Sequence, residues 1–242
     1  MRGVAQRGRV LLAEARAWRL LRARRDRDTS IDDDLDFIGE LAPLGFWGQK
    51  RGEVAALLQI LAAEPPLRVL EIGTARGGTL FLLSRVAHPC ATLVTIDLPG
   101  GPFGGGYGRH WEPILRAMPR STQTLKLVRG DSHDRRTLAM VAEIFHEGTV
   151  DFLLIDGDHS YAGVRQDFEW YVPLVRPGGL VALHDIVSGP EDLVGGVPRF
   201  WKEIRESYES RELVADRLPP HAADVAFAGQ EGGWGLGLLT VP

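Results

Sequence analysis

Glu71-Ile72-Gly73-Thr74-Ala75-Arg76-Gly77-Gly78 is the segment of this 242-residue chain with the clearest chemical meaning. Glycines let a backbone pass close to a ligand, and a helix starting behind them offers free N–H groups. A dinucleotide loop spaces its glycines G-x-G-x-x-G so that a pyrophosphate can sit on the helix N-terminus. Here the spacing is G-x-x-x-G-G, with an acid just ahead of the first glycine. A carboxylate there repels a pyrophosphate and suits a cationic amine or a sulfonium centre. Glu71, Gly73, Thr74, Gly77 and Gly78 are therefore candidate cofactor contacts. Asp97 and Asp131-Ser132 extend the list. An acid at Asp97 can take both hydroxyls of a ribose, and Asp131-Ser132 falls where an adenine edge would lie.

A second set comprises Asp156-Gly157-Asp158-His159 and His184-Asp185. Oxygen ligands converging from neighbouring strand ends favour a hard cation such as magnesium. A metal lowers the pKa of a bound hydroxyl, and a nearby base removes its proton. Asp156, His184 and Asp185 are the candidate metal ligands. Histidine is a poor magnesium ligand and a better one for manganese, iron or zinc. Three arrangements stay open: a magnesium site with His184 behind it, a softer metal, or no metal with His159 or His184 acting alone. Asp158 reads equally as a ligand or as a cap of the next helix.

These residues need a scaffold, and hydrophobic spacing supplies it. Short apolar runs at 67–72, 92–96, 124–128, 150–155 and 180–183 read as strands, with two later ones near Leu213 and Leu236. Helical spacing covers 51–63, 77–87, 111–118, 137–145, 161–174 and 197–207. Such alternation implies right-handed crossovers and a mostly parallel sheet with helices on both faces, whose ligands sit at the carboxyl ends of the strands. Glu71, Asp97, Asp131, Asp156, His184 and Asp185 all fall at or just after those ends. The stretch 99–111, with its glycines and Phe103, Tyr107, Arg109, His110 and Trp111, reads as a mobile flap over the acceptor. The loop 188–198 is expected to shape the acceptor pocket, and Trp234 to serve packing.

Residues from about 50 to 241 thus resemble a class I S-adenosylmethionine-dependent methyltransferase, whose first loop reads E-x-G-x-x-x-G as Glu71, Gly73 and Gly77 do. The resemblance implies S-adenosyl-L-methionine as cofactor, with Asp97 on its ribose and Asp131 beside its adenine. It also implies a Rossmann-like, seven-stranded, mostly parallel α/β sheet whose last strand is antiparallel. The second set resembles a narrower group, the metal-dependent bacterial O-methyltransferases of sugars and natural products and the cephalosporin-hydroxylase-like proteins. That likeness makes Asp156, His184 and Asp185 the ligands of Mg2+, and His159 the base acting with Asp156. The expected activity is methyl transfer to a hydroxyl of a small molecule, a sugar of a glycoside or polysaccharide being first choice. Alternatives are a catechol-type or other natural-product O-methyltransferase, and a binding or regulatory protein that kept the fold without catalysis. One departure stands out: the group carries an acid where His184 stands.

Composition bounds the rest. The net charge of −4 is too small to argue for nucleic acid. Nine arginines crowd residues 1–27, so this stretch reads as a basic helical arm that packs on a neighbouring subunit or meets an anionic membrane surface. Asp32 to Asp36 reads as an acidic linker, giving residues 1–50 as arm and linker and 51–242 as the methyltransferase domain. The single cysteine, Cys90, and the lack of a long apolar run point to a cytoplasmic chain with no transmembrane segment. A homo-oligomer is expected from the arm.

Overall fold

The computed structural model describes residues 2–46, 49–100, 106–146, 148–215 and 234–242. Seven strands form one sheet: β1 (Arg68–Ile72), β2 (Thr92–Asp97), β3 (Thr124–Arg129), β4 (Val150–Ile155), β5 (Val175–His184), β6 (Glu209–Leu213) and β7 (Leu236–Thr240). Their spatial order is β3-β2-β1-β4-β5-β7-β6. Strands β1 to β5 run parallel, and β7 is antiparallel to both β5 and β6. The chain winds outward from β1 to β3, then returns to place β4 on the other side of β1. That reversal opens a crevice at the carboxyl ends of β1 and β4, the usual ligand position in such sheets.

Period-two side-chain alternation builds the two cores. Val69, Leu93, Phe152, Leu154 and Ala182 face one core, which holds Val54, Leu57 and Leu58 of α3 (Arg51–Ala63) and Leu80 and Phe81 of α4 (Gly78–Val86). Leu70, Val94, Ile96, Leu153, Ile155 and Leu183 face the other. That core holds Val141 of α6 (Arg135–Ile144), Val164 and Phe168 of α7 (Tyr161–Tyr171) and Phe200 of α9 (Val197–Ile204).

Several boundaries differ from the sequence reading. The expected acidic linker is a helix, α2 (Ile31–Glu40). Ser30 caps it reciprocally with Asp33, and Asp32, Asp33 and Asp34 fill its first turn, where the helix dipole favours negative charge. Asp34 is buried between Arg85 Nε at 3.1 Å and Arg24 Nε at 2.9 Å. The end of α1 (Arg2–Arg24) packs on the chain's own core through Ala17 and Leu21, both fully buried, and Arg25 Nε donates to the carbonyl of Pro119. Strand β5 begins five residues early and runs through Pro177-Gly178-Gly179, with a register shift against β4 absorbing the irregularity. A short helix, α8 (Glu191–Val194), lies inside the expected 188–198 loop. Tyr107 and Trp111 are buried rather than on a flap, Trp111 meeting Phe46 in a tilted ring contact and lying under Arg76. Residues 101–105, with Phe103, and Trp47 lie outside the described residues.

Candidate active site

Gly73 sits where β1 meets β4. Its φ is +91°, and a Cβ there would stand 1.9 Å from the Asp156 carbonyl oxygen. The close approach brings the two sides of the crevice together. Glycine is required on both counts. Gly77, at φ +87°, caps α4, and Gly78 lets α4 abut the Phe46 carbonyl. Glu71 is buried beneath this loop, its Oε2 accepting from Thr95 Oγ1 at 2.9 Å while its Oε1 has no partner. Thr74 meets the same Thr95 hydroxyl. Burial pushes the Glu71 carboxyl up to about 8, and the nearby Asp156 and Asp97 add to the rise. A buried acid with one orphaned oxygen fits a ligand bringing a cationic amino group.

Asp97 ends β2. Its Oδ2 accepts from the Ala75 amide at 2.6 Å and its Oδ1 from the Leu98 amide at 2.7 Å, so the carboxylate is already fixed on the crevice floor. Ala75 itself is at φ 45°, a conformation side chains seldom adopt. Beyond β3, Asp131 is exposed and accepts from the His133 amide at 2.9 Å, and the Ser132 carbonyl accepts from Tyr171 Oη at 2.9 Å.

The other side of the crevice holds the second set. Asp156 Oδ1 lies 3.2 Å from His184 Nδ1 and 3.6 Å from His159 Nε2. Asp185 Oδ1 lies 3.3 Å from His184 Nδ1, and Asp185 Oδ2 lies 3.4 Å from His159 Nδ1. Among the described residues, Asp156, His184 and Asp185 are the group whose ligand atoms converge, all within 4.8 Å. Asp185 adopts φ +63°, an uncommon strain that aims it back at the cluster. Burial opposes ionisation of Asp156, yet His184 and His159 hold its carboxyl well below the usual range. The Asp156 carboxylate beside it raises His159 to about 9. Burial acts against the charged form of His184, and the two carboxylates overcome it. Asp158 is a turn residue, accepting from the Ser160 amide at 2.8 Å.

Four residues at or near this edge were not singled out for these roles. Gln49, just ahead of α3, donates from its Nε2 to Asp156 Oδ2 at 3.1 Å. Trp234, expected to serve packing, sets its ring edge-on to His184 at 5.9 Å. Glu53 is buried and accepts from the amides of Ala215 and Gly235, both at 2.9 Å. His133 Nε2 pairs with the buried Asp167 at 3.2 Å. Two of them carried a signal in sequence: Trp234 is an aromatic within a glycine-rich turn close to the last strand, and Gln49 follows Phe46 and Trp47 in a short segment ahead of the first core helix.

The strand order and the acid-lined carboxyl edge define a Rossmann-like methyltransferase fold. Residues 70–186 match the family model described as a methyltransferase domain, a span that runs from just before Glu71 to just past Asp185. An O-methyltransferase from Bacillus cereus, solved in complex with S-adenosylhomocysteine, shares the fold at a TM-score of 0.56 and 18% identity, covering 89% of this chain and 92% of that one. The O-methyltransferase TomG from Streptomyces achromogenes, solved with S-adenosylmethionine, gives 0.51 and 18% over 90% and 92%. Among curated proteins, the mycinamicin VI 2''-O-methyltransferase of Micromonospora griseorubida is 27% identical over 135 residues, 47% of this chain and 33% of that protein. The uncharacterized protein y4gI of Sinorhizobium fredii (strain NBRC 101917 / NGR234) is 26% identical over 204 residues, 82% of this chain. The match to y4gI covers 20% of its length. This chain therefore matches only a fifth to a third of the curated relatives' lengths.

Proposed function

We propose that this chain is an S-adenosylmethionine-dependent O-methyltransferase acting on a hydroxyl of a small molecule, with a sugar of a glycoside or polysaccharide as first choice. One observation carries the reading. The crevice floored by Glu71 and Asp97 and the cluster of Asp156, His159, His184 and Asp185 share one edge of the sheet, joined where Gly73 meets Asp156. A methyl donor and a hydroxyl to be activated can thus meet there. In the reaction, the sulfonium–methyl bond breaks as an oxygen–methyl bond forms, and the hydroxyl proton leaves for a base.

His159 is that base. A 2.7 Å bond from Nδ1 to the Leu193 carbonyl assigns the Nδ1 proton, which leaves Nε2, on the Asp156 side, to take a proton. Gln49 orients Asp156 through its second oxygen. The carboxylates of Asp156 and Asp185 suit a hard divalent ion, and the His184 nitrogen shifts the fit toward manganese, iron or zinc. Such an ion, when bound, would acidify and orient the acceptor hydroxyl. The name of the Micromonospora griseorubida relative, a 2''-O-methyltransferase for mycinamicin VI, supports a natural-product hydroxyl. This reading divides the chain into residues 51–242, which hold the cofactor crevice and the catalytic cluster, and residues 1–50, which are braced on them and lend Gln49 to the site. No described helix is long and apolar enough to cross a membrane. A cytoplasmic homo-oligomer completes the proposal, with no nucleic-acid partner.

Transfer of labelled methyl from S-adenosylmethionine to a panel of glycosides, sugar precursors and catechols tests this. The expected result is labelling of a sugar hydroxyl, lost on chelation and restored better by Mn2+ than by Mg2+. His184→Glu should reverse that metal preference. Activity on catechols alone, or activity indifferent to chelation, would overturn the finer reading.

A further inference from the structure

The helix α7 offers one face to the loop that follows β3. Gly163, Asp167 and Tyr171 recur at intervals of four, so they form a single stripe. Each member grips that loop. The Gly163 carbonyl lies 3.1 Å from His133 Nε2, and Asp167 Oδ1 lies 3.2 Å from the same nitrogen. Tyr171 Oη donates to the Ser132 carbonyl at 2.9 Å. Asp167 also reaches the opposite side of the crevice: a Cβ on Gly157, just past β4, would stand 3.2 Å from Asp167 Oδ2.

Asp167 and Tyr171 are fully buried. A buried carboxylate is a poor source of stability, because desolvation offsets its attraction to a partner, and an apolar residue would serve packing as well. None of the three touches the crevice floor at Asp97. Their contacts go to the loops that border the crevice after β3 and β4. These are positioning residues.

We propose that the Gly163–Asp167–Tyr171 stripe braces Asp131-Ser132-His133 against Gly157, and thereby sets which purine edge the cofactor crevice accepts. This rests on the cofactor reading above. The brace holds the backbone of Ser132 and the turn at Asp131 at a fixed distance from the β4 loop, so a flat base entering between them meets a preset pattern of donors and acceptors.

The full chain should be titrated with S-adenosylhomocysteine and with S-inosylhomocysteine, whose purine carries a carbonyl in place of the amino group. Wild type should prefer the adenine compound. Asp167→Asn, which removes the charge facing His133, and Tyr171→Phe, which removes the hydrogen bond to the Ser132 carbonyl, should each weaken S-adenosylhomocysteine binding about three- to tenfold and shrink that preference. Turnover at saturating cofactor should stay within about twofold, since the chemistry lies elsewhere. An unchanged preference in the folded variants, with only a lower melting temperature, would overturn the proposal. If Asp167→Asn does not fold, Tyr171→Phe, which removes a single hydroxyl, decides. A wild type that binds neither compound would instead overturn the cofactor reading itself.

Discussion

Asp97 and His159 do different work, and substitution separates them. Two backbone amides fix the Asp97 carboxylate on the crevice floor, where a ribose would meet it. Asp97→Ala should weaken S-adenosylhomocysteine binding at least about tenfold in calorimetry, the usual loss for hydrogen bonds to a charged acceptor. His159→Ala should leave that binding within about twofold but lower kcat by about 100- to 10,000-fold, the range for a lost general base. The same histidine gives the pH dependence a sign. Raised to about 9 by Asp156, it rests as an imidazolium at neutral pH and must lose a proton to act. kcat/KM should therefore climb with pH toward about 9. A flat profile across that range would remove His159 from the role. The acids at strand ends were legible in sequence, because each follows an apolar run. Glu53 was not: it reads as an ordinary helix-surface acid, while its amide partner Ala215 lies 162 positions away. His133 was hidden for the same reason, its partner Asp167 coming from another element.

At the scale of elements, α2 shows where pattern reading stops. A run of acids with few apolar residues resembles a solvated linker, yet it also matches a helix start, with a serine cap and a favourable dipole. What decides between them is tertiary. Asp34 reaches Arg85 on α4 and Arg24 on α1, while Leu35 and Ile38 bury against the core. Asp34→Ala would leave the buried Arg85 guanidinium without its carboxylate. Urea denaturation should show a loss of about 3–5 kcal/mol, as for other broken buried pairs, and a change below about 1 kcal/mol would mean that α2 is a surface appendage. Two aromatics of the stretch 99–111 depart in the opposite direction. Its glycines suggested mobility, but Tyr107 and Trp111 are core residues: Trp111 meets Phe46 and Arg76, and Tyr107 meets Arg129, partners that sequence alone does not bring together. Strand β5 was shortened in the reading because Pro177-Gly178-Gly179 looks like a stop, whereas a register shift lets the strand pass through.

For the molecule as a whole, sheet order is the organising fact. Parallel strands β1 to β5 put their carboxyl ends on one edge, and the reversal between β1 and β4 makes the crevice. The alternation of strands and helices foretold this layout, since crossover handedness leaves few other topologies. The charge split between a basic α1 and an acidic remainder was equally visible, but the packing of Ala17 and Leu21 on the chain's own core was not. The most direct test of the account is calorimetric titration of the full chain with S-adenosylhomocysteine and, separately, with NADH. The geometry of Glu71, Gly73 and Asp97 predicts saturable one-site binding of S-adenosylhomocysteine and no heat from NADH. Binding of NADH without binding of S-adenosylhomocysteine would contradict it.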